Sequence, residues 1–201
     1  MPGLVLGSAS PRRAALLRQL GLDFSVCPSD VPEVAAAGET ATDLARRLAR
    51  EKGTAVARSR TDAWVLSADT IVVVDGAVLG KPADAAEAGQ MLRRLSDRAH
   101  EVFTAVALTA PGGAPAGEVL VRSRVEFRPL SAAEIDAYVA TDEPFDKAGA
   151  YAIQGGAAHF VRRVDGSYTN VVGLPIDETR DLLARAGLLP AGGAQKRTVG
   201  R

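Results

Sequence analysis

The chain has 201 residues, with 24 basic and 24 acidic side chains balancing to a formal net charge of zero. That balance supplies no global field for nucleic acid or an anionic membrane, so any anion specificity has to be local. A single cysteine, Cys27, excludes an intrachain disulfide, and no apolar run approaches the ~20 residues that span a bilayer.

Leu4-Val5-Leu6 reads as a short buried strand; it is too short for a signal core and has no basic segment before it, which makes a soluble cytoplasmic protein the expectation. Gly7-Ser8-Ala9-Ser10 follows as a small-residue loop. A helix then opens with Ser10 as N-cap and Pro11 in the first position, and ends near Gly21. Strand, small-residue loop and capped helix together can offer backbone N–H groups to an anion. At ~100° per residue, Leu16, Leu17 and Leu20 fall within about 60° of Arg13, which puts this arginine on the buried stripe and calls for an anionic partner. Phe24 to Cys27 is a second short strand, and a Pro-rich loop carrying Asp30, Glu33 and Glu39 comes after it.

Thr40 caps a second helix that runs through Ala57, with Ala41, Leu44, Ala45, Leu48, Ala49 and Val56 on one side. Lys52 lies near the centre of that apolar stripe, so this helix aims a cation inward. The stretch from Val65 to Val74 is apolar on both alternating faces, as a central strand should be, yet it holds Asp69 in its middle. A buried carboxylate loses hydration worth several kcal/mol unless cations or donors replace the water. Asp75-Gly76 marks a hairpin with Ala77-Val78-Leu79 as the returning strand, which brings Lys81 back toward the same end of the sheet. A simple ion pair between Asp69 and Lys81 is one reading of that arrangement.

Asp84, with Glu87 three residues on, starts a structural third helix. Two long strands, His100 to Thr109 and Glu118 to Phe127, are joined by a Gly/Pro-rich connection. Ser131 and Glu134 form a capping box for a helix reaching about Ala140. Asp146 to Gly156 reads as a glycine-containing loop that lets backbone approach a ligand. Phe160 to Val164 is a strand, and Thr169 to Pro175 leads into one last helix ending near Gly187. Residues 1–190 are expected to form a single domain, and 191–201, small, basic and Gly-rich, a disordered tail. His100 and His159 stand apart without ligand spacing, which argues against a histidine-based metal site.

The inward-facing charges are therefore Arg13, Lys52, Asp69 and Lys81, with Glu33 and Lys147 as loop candidates. Several cations around one acid suit a polyphosphate, whose oxygens the cations hold while the carboxylate binds a divalent metal or orients water. There is no GxxxxGK[ST] and no GxGxxG after a strand, which excludes a P-loop and disfavours a dinucleotide fold.

Six motifs occur in order: Ser8-Ala9-Ser10-Pro11-Arg12-Arg13, Arg50-Glu51-Lys52, Ala68-Asp69-Thr70, Gly80-Lys81-Pro82, Asp146 to Tyr151 with Ile153-Gln154-Gly155, and Asn170 to Pro175. Through them the sequence resembles the Maf family of nucleoside triphosphate pyrophosphatases from Leu4 to about Leu189. The resemblance implies an α/β fold, with an elongated mixed sheet flanked by helices and a central cleft between two lobes. It also implies a small-molecule nucleotide substrate, a divalent metal cation (Mg2+ or Mn2+) and a homodimer. Asp69 takes the position of the proton acceptor, with Lys52 and Lys81 beside it as catalytic residues. Ser8, Arg13 and Lys147 take phosphate- and substrate-binding positions, and Glu33 and Asp69 the metal positions. Arg12, Thr70 and Gln154 stand where the family's substrate branches differ, and they match the branch that hydrolyses dTTP and UTP to monophosphate and pyrophosphate. A regulatory nucleotide-binding protein linked to septum formation is the alternative that the resemblance leaves open.

Overall fold

The computed structural model describes residues 3–189, so the expected tail lies outside the described residues. Strand β1 (Leu4–Leu6) lies between β2 (Phe24–Val26) and β3 (Trp64–Val74), parallel to both. Helix α1 (Pro11–Arg18) makes the first of these parallel connections and α2 (Ala41–Ala57) the second, since parallel neighbours need a crossover. From β3 onward the pairing is antiparallel, through β4 (Ala77–Leu79), β5 (Ala99–Thr109), β6 (Pro115–Phe127) and β7 (Val161–Asp165). The described residues thus form one seven-stranded mixed sheet in the order β2-β1-β3-β5-β6-β7, with β4 beside β3. This is the elongated mixed α/β sheet that the resemblance implies.

Period-two alternation gives β3 two different faces. Ile71 and Val73, with Ala105 and Ala107 of β5, pack under Leu44, Ala45, Leu48 and Ala49 of α2. Leu66, Ala68, Val72 and Val74 point the other way, into the largest cluster, with Leu17, Val106, Phe127 and Leu183. Helix α2 rides close on the sheet: a Cβ added at Gly53 would lie 2.7 Å from Ser67 Oγ and 2.9 Å from Thr109 Oγ1. That contact fixes the depth at which Lys52, the preceding residue, enters the core.

The remaining helices are α3 (Ala85–Leu95), α4 (Ala132–Val139), α5 (Tyr168–Val172) and α6 (Ile176–Arg185). Asp84, Ser131 and Ser167 each cap a following helix through the side chain, and Ser131 with Glu134 completes the expected capping box. Strand β6 and the lead-in to the last helix differ most from expectation. Strand β6 begins at Pro115 rather than Glu118, because pairing with β5 carries on past a register shift at Leu108 and Thr109. The last helix stands where expected as α6, but the lead-in to it is itself helical, as α5. Helix α5 ends at Gly173, whose φ of +117° turns the chain, and Pro175 stands as N-cap of α6. No described helix is long and apolar enough to cross a membrane.

Candidate active site

A cleft of about 660 Å³ opens along β3, the size range of a small-molecule site. The β1–α1 loop, α2, the β3–β4 hairpin and the residues around Lys147 and Gln154 line it. Its charged wall is built from four segments of the chain. Lys52, from the apolar stripe of α2, is 7% exposed, and Asp69, from the middle of β3, is 4% exposed. Lys52 Nζ donates to Asp69 Oδ1 at 2.5 Å and to Glu33 Oε1 at 2.6 Å. The other oxygen of Glu33, Oε2, accepts from Lys81 Nζ at 2.5 Å. The groups form an alternating chain, Asp69–Lys52–Glu33–Lys81. The simple ion pair between Asp69 and Lys81, one of the two readings of the sequence, is not formed: Lys52 holds the acid and Lys81 meets Glu33, because the 28–39 loop brings Glu33 between the two lysines.

Burial pushes the Asp69 carboxyl above its ordinary range, against the pull of Lys52 and Arg13. Glu33 goes the other way. Burial works upward on it too, but hydrogen bonds from Lys52 and Lys81 bring it down to about 2. Two neighbouring carboxylates are therefore pushed in opposite directions. The one with the raised pKa is the better proton acceptor, and the depressed one stays ionised.

On the opposite face of β3, Arg13 reaches across the sheet from α1. Its Nε donates to Gly173 O at 2.8 Å, Nη1 to Ala68 O at 2.8 Å and Nη2 to Thr70 Oγ1 at 3.0 Å. A weaker bond runs from Nη1 to Ser8 Oγ at 3.3 Å. Within the protein the donors of Arg13, which lines the cleft, go to carbonyls and hydroxyls, which a planar guanidinium fork can reach from several sides at once. Gly173 belongs here for its φ of +117°, a conformation that L side chains rarely adopt. Burial lowers the Arg13 pKa, while Asp69 and Glu33 pull it back up.

Thr70 completes this second network. Thr104 donates to Asn170 O at 2.9 Å, so the 3.0 Å contact between the two threonine hydroxyls has Thr70 as donor. With Arg13 donating to it as well, the Thr70 hydroxyl is committed to protein partners. Thr70 lines the cleft as expected, but its hydroxyl holds Arg13 in place and its proton is spent on Thr104.

Ser8 is differently placed. Its oxygen accepts from Ser10 N at 3.2 Å and from Arg13, which leaves its O–H free to donate into the cleft it lines. Arg12 and Gln154 also line the cleft, Gln154 exposed and Arg12 3.7 Å from Asp146. Lys147 bonds Asp146 and donates to Glu143 O at 2.5 Å, and a short 3-10 turn, Ala148–Ala150, follows it where an irregular loop was expected. Thr104 and Asn170 escaped the reading of side-chain charge; a threonine inside the otherwise apolar β5 was the available signal.

Among the described residues no three His, Cys, Asp or Glu side chains stand together. Glu33 and Asp69 nevertheless share one cation, the Lys52 ammonium, between them. Two carboxylates completed by substrate phosphate oxygens form the donor set that Mg2+ ordinarily takes, so the residues fit a divalent cation bound with its substrate.

The family model described as Maf-like protein matches residues 3–186. The chain belongs to this Maf-like family. It is 52% identical over 186 residues to a dTTP/UTP pyrophosphatase of Geobacter sulfurreducens, covering 92% of this chain and 97% of the relative. It is 53% identical to a dTTP/UTP pyrophosphatase of Myxococcus xanthus, covering 92% and 93%. Among solved structures, a HAM1 protein from Coxiella burnetii matches at TM-score 0.42 and 21% identity over 63% of this chain and 73% of that one. A likeness that distant carries no argument about the site of the Maf-like chain.

Proposed function

We propose that the protein hydrolyses dTTP and UTP to the nucleoside monophosphate and pyrophosphate. The Asp69–Lys52–Glu33–Lys81 chain along one wall of the cleft carries this reading. The relatives named dTTP/UTP pyrophosphatase, aligned over nine-tenths of the chain, support the choice of nucleotide. Lys52 and Lys81 neutralise phosphate oxygens, and the free Ser8 O–H donates to another. Asp69, its proton affinity raised by burial, takes the proton of the attacking water as the new P–O bond forms. The phosphoanhydride bond breaks and pyrophosphate departs with its electron pair. A divalent cation, Mg2+ or Mn2+, would be held by Glu33 and Asp69 together with substrate oxygens, and would neutralise charge developing on the phosphates.

Arg12 and Gln154, which line the cleft, are assigned to the base, and a neutral amide matches both the carbonyl and the N–H of uracil or thymine. A protein that only bound nucleotide would have no use for a buried carboxylate of raised pKa, so the enzyme reading is preferred to a regulatory one. A cytoplasmic location and a homodimer belong to the same proposal. The test is a panel of common nucleoside triphosphates with pyrophosphate and orthophosphate both measured. UTP and dTTP are expected to be turned over in preference to ATP and GTP, with pyrophosphate as product. Orthophosphate as the product, or equal rates on all substrates, would overturn it.

A further inference from the structure

We propose that Arg47, which stands outside the cleft, is a positioning residue that holds Glu33 in place by fastening residues 28–39 to α2; this rests on the pyrophosphatase reading above. Between Val26, the end of β2, and Ala41, the start of α2, the chain has no helix or strand, and most of its side chains are exposed. Yet this stretch has to present the two oxygens of Glu33 to two lysines on different elements. A free segment of that length samples many conformations, and ion pairs as exposed as Glu33–Lys81 do little to fix one. Val31 gives the segment one apolar anchor under α2, whereas Val34 is 70% exposed.

Arg47 supplies the remaining grip. It forks the Glu39 carboxylate, Nε to Oε1 at 2.7 Å and Nη2 to Oε2 at 2.8 Å, the geometry in which a guanidinium fixes orientation as well as charge. The same Nη2 donates to Val34 O at 2.9 Å, one residue past Glu33. Glu39 passes the grip on by accepting from Ala36 N at 3.0 Å, and Arg47 Nη1 is steadied by Glu51 at 3.1 Å, one turn along its own helix. Neither Arg47 nor Glu39 lines the cleft. Helix α2 is held to the sheet by Leu44, Ala45, Leu48 and Ala49 and does not need Arg47 for its packing. The fork therefore acts on the segment, and through it on Glu33.

The test uses the full chain as Arg47→Gln and Arg47→Lys, each alone and in a Glu33→Gln background. Amide exchange at residues 30–36 without substrate should quicken about tenfold in Arg47→Gln, with exchange in β3 and β5 unchanged. UTP kcat should fall about tenfold while the melting temperature stays within about 2 °C. Arg47→Lys, which keeps the charge but not the fork, should fall between wild type and Arg47→Gln. In the Glu33→Gln background the same change should cost less than about twofold, because the group it positions is gone. Full kcat in Arg47→Gln, an undiminished loss without Glu33, or unchanged exchange at 30–36 would each overturn the proposal. If wild type released no pyrophosphate from UTP, the functional reading would fall instead, and the exchange comparison would still decide whether Arg47 fastens the segment.

Discussion

Two networks meet β3 at adjacent residues, and they are built on different terms. On the α2 face, Asp69, Lys52, Glu33 and Lys81 alternate in sign, and the chain runs from a 4% exposed acid to a lysine side chain half open to water. On the α1 face, Arg13, Thr70, Thr104 and Asn170 O are joined donor to acceptor, with the threonine protons assigned to partners inside the protein. The first network can change partners: a triphosphate oxygen can replace a carboxylate oxygen on Lys52 or Lys81 with little change in the lysine's charge environment. The second cannot without leaving buried polar groups unpaired, each costing about 1–3 kcal/mol. Chemistry belongs on the exchangeable side, and the committed side keeps it in register by tying Ala68 and Thr70, the neighbours of Asp69, to α1 and α5.

The largest effect should come from breaking the exchangeable side at its centre. Lys52→Met leaves Asp69 and Glu33 without their shared ammonium, and removing one partner of a buried pair costs about 3–5 kcal/mol. Turnover should fall more than about 100-fold. The melting temperature should drop more at pH 8 than at pH 5, since protonating the stranded carboxylates relieves them. An equal drop at both pH values would show that Lys52 is not balancing these acids.

Arg13→Lys attacks the committed side. An ammonium cannot serve Gly173 O, Ala68 O and Thr70 together, so stability should fall by about 2 kcal/mol, read by urea denaturation. Activity should fall with it. Loss of activity at full stability would place Arg13 on the substrate rather than in the scaffold. The smallest effect separates hydroxyl from shape: Thr70→Ser should behave like wild type, whereas Thr70→Val, which loses both bonds, should cost about 1 kcal/mol. If Thr70→Ser changed nucleotide preference, the methyl group would be what the substrate meets.

The asymmetry explains what could be read from the sequence. Lys52 was legible because a cation at the centre of an apolar helical stripe has nowhere to point but inward. Asp69 was legible because it interrupts a strand that is apolar on both faces. The strands, caps and hairpin turn followed from local pattern, down to Asp75 and Gly76 with φ of +50° and +74°. The partners of Arg13 were not legible, because two of them are carbonyls and one lies 160 residues away. Backbone acceptors have no letter in a sequence. Helix α5 was missed because Thr169 to Pro175 was read as a lead-in to the last helix, whereas it forms a short helix whose closing turn at Gly173 serves Arg13. The grip of Arg47 on the 28–39 segment was missed because an irregular segment has no period to place Glu39.

The central claim is that the buried acid of the exchangeable network is the proton acceptor, and Asp69→Asn measured for pyrophosphate release from UTP at pH 8 tests it most directly. Because burial raises the Asp69 pKa, its ionised form costs the fold stability above that pKa and stops doing so as pH falls through it. The neutral amide should therefore keep the melting temperature or raise it, with Lys52 still paired to Glu33. The account predicts a kcat at least ~100-fold below wild type in that intact fold. Turnover within about threefold of wild type would contradict it.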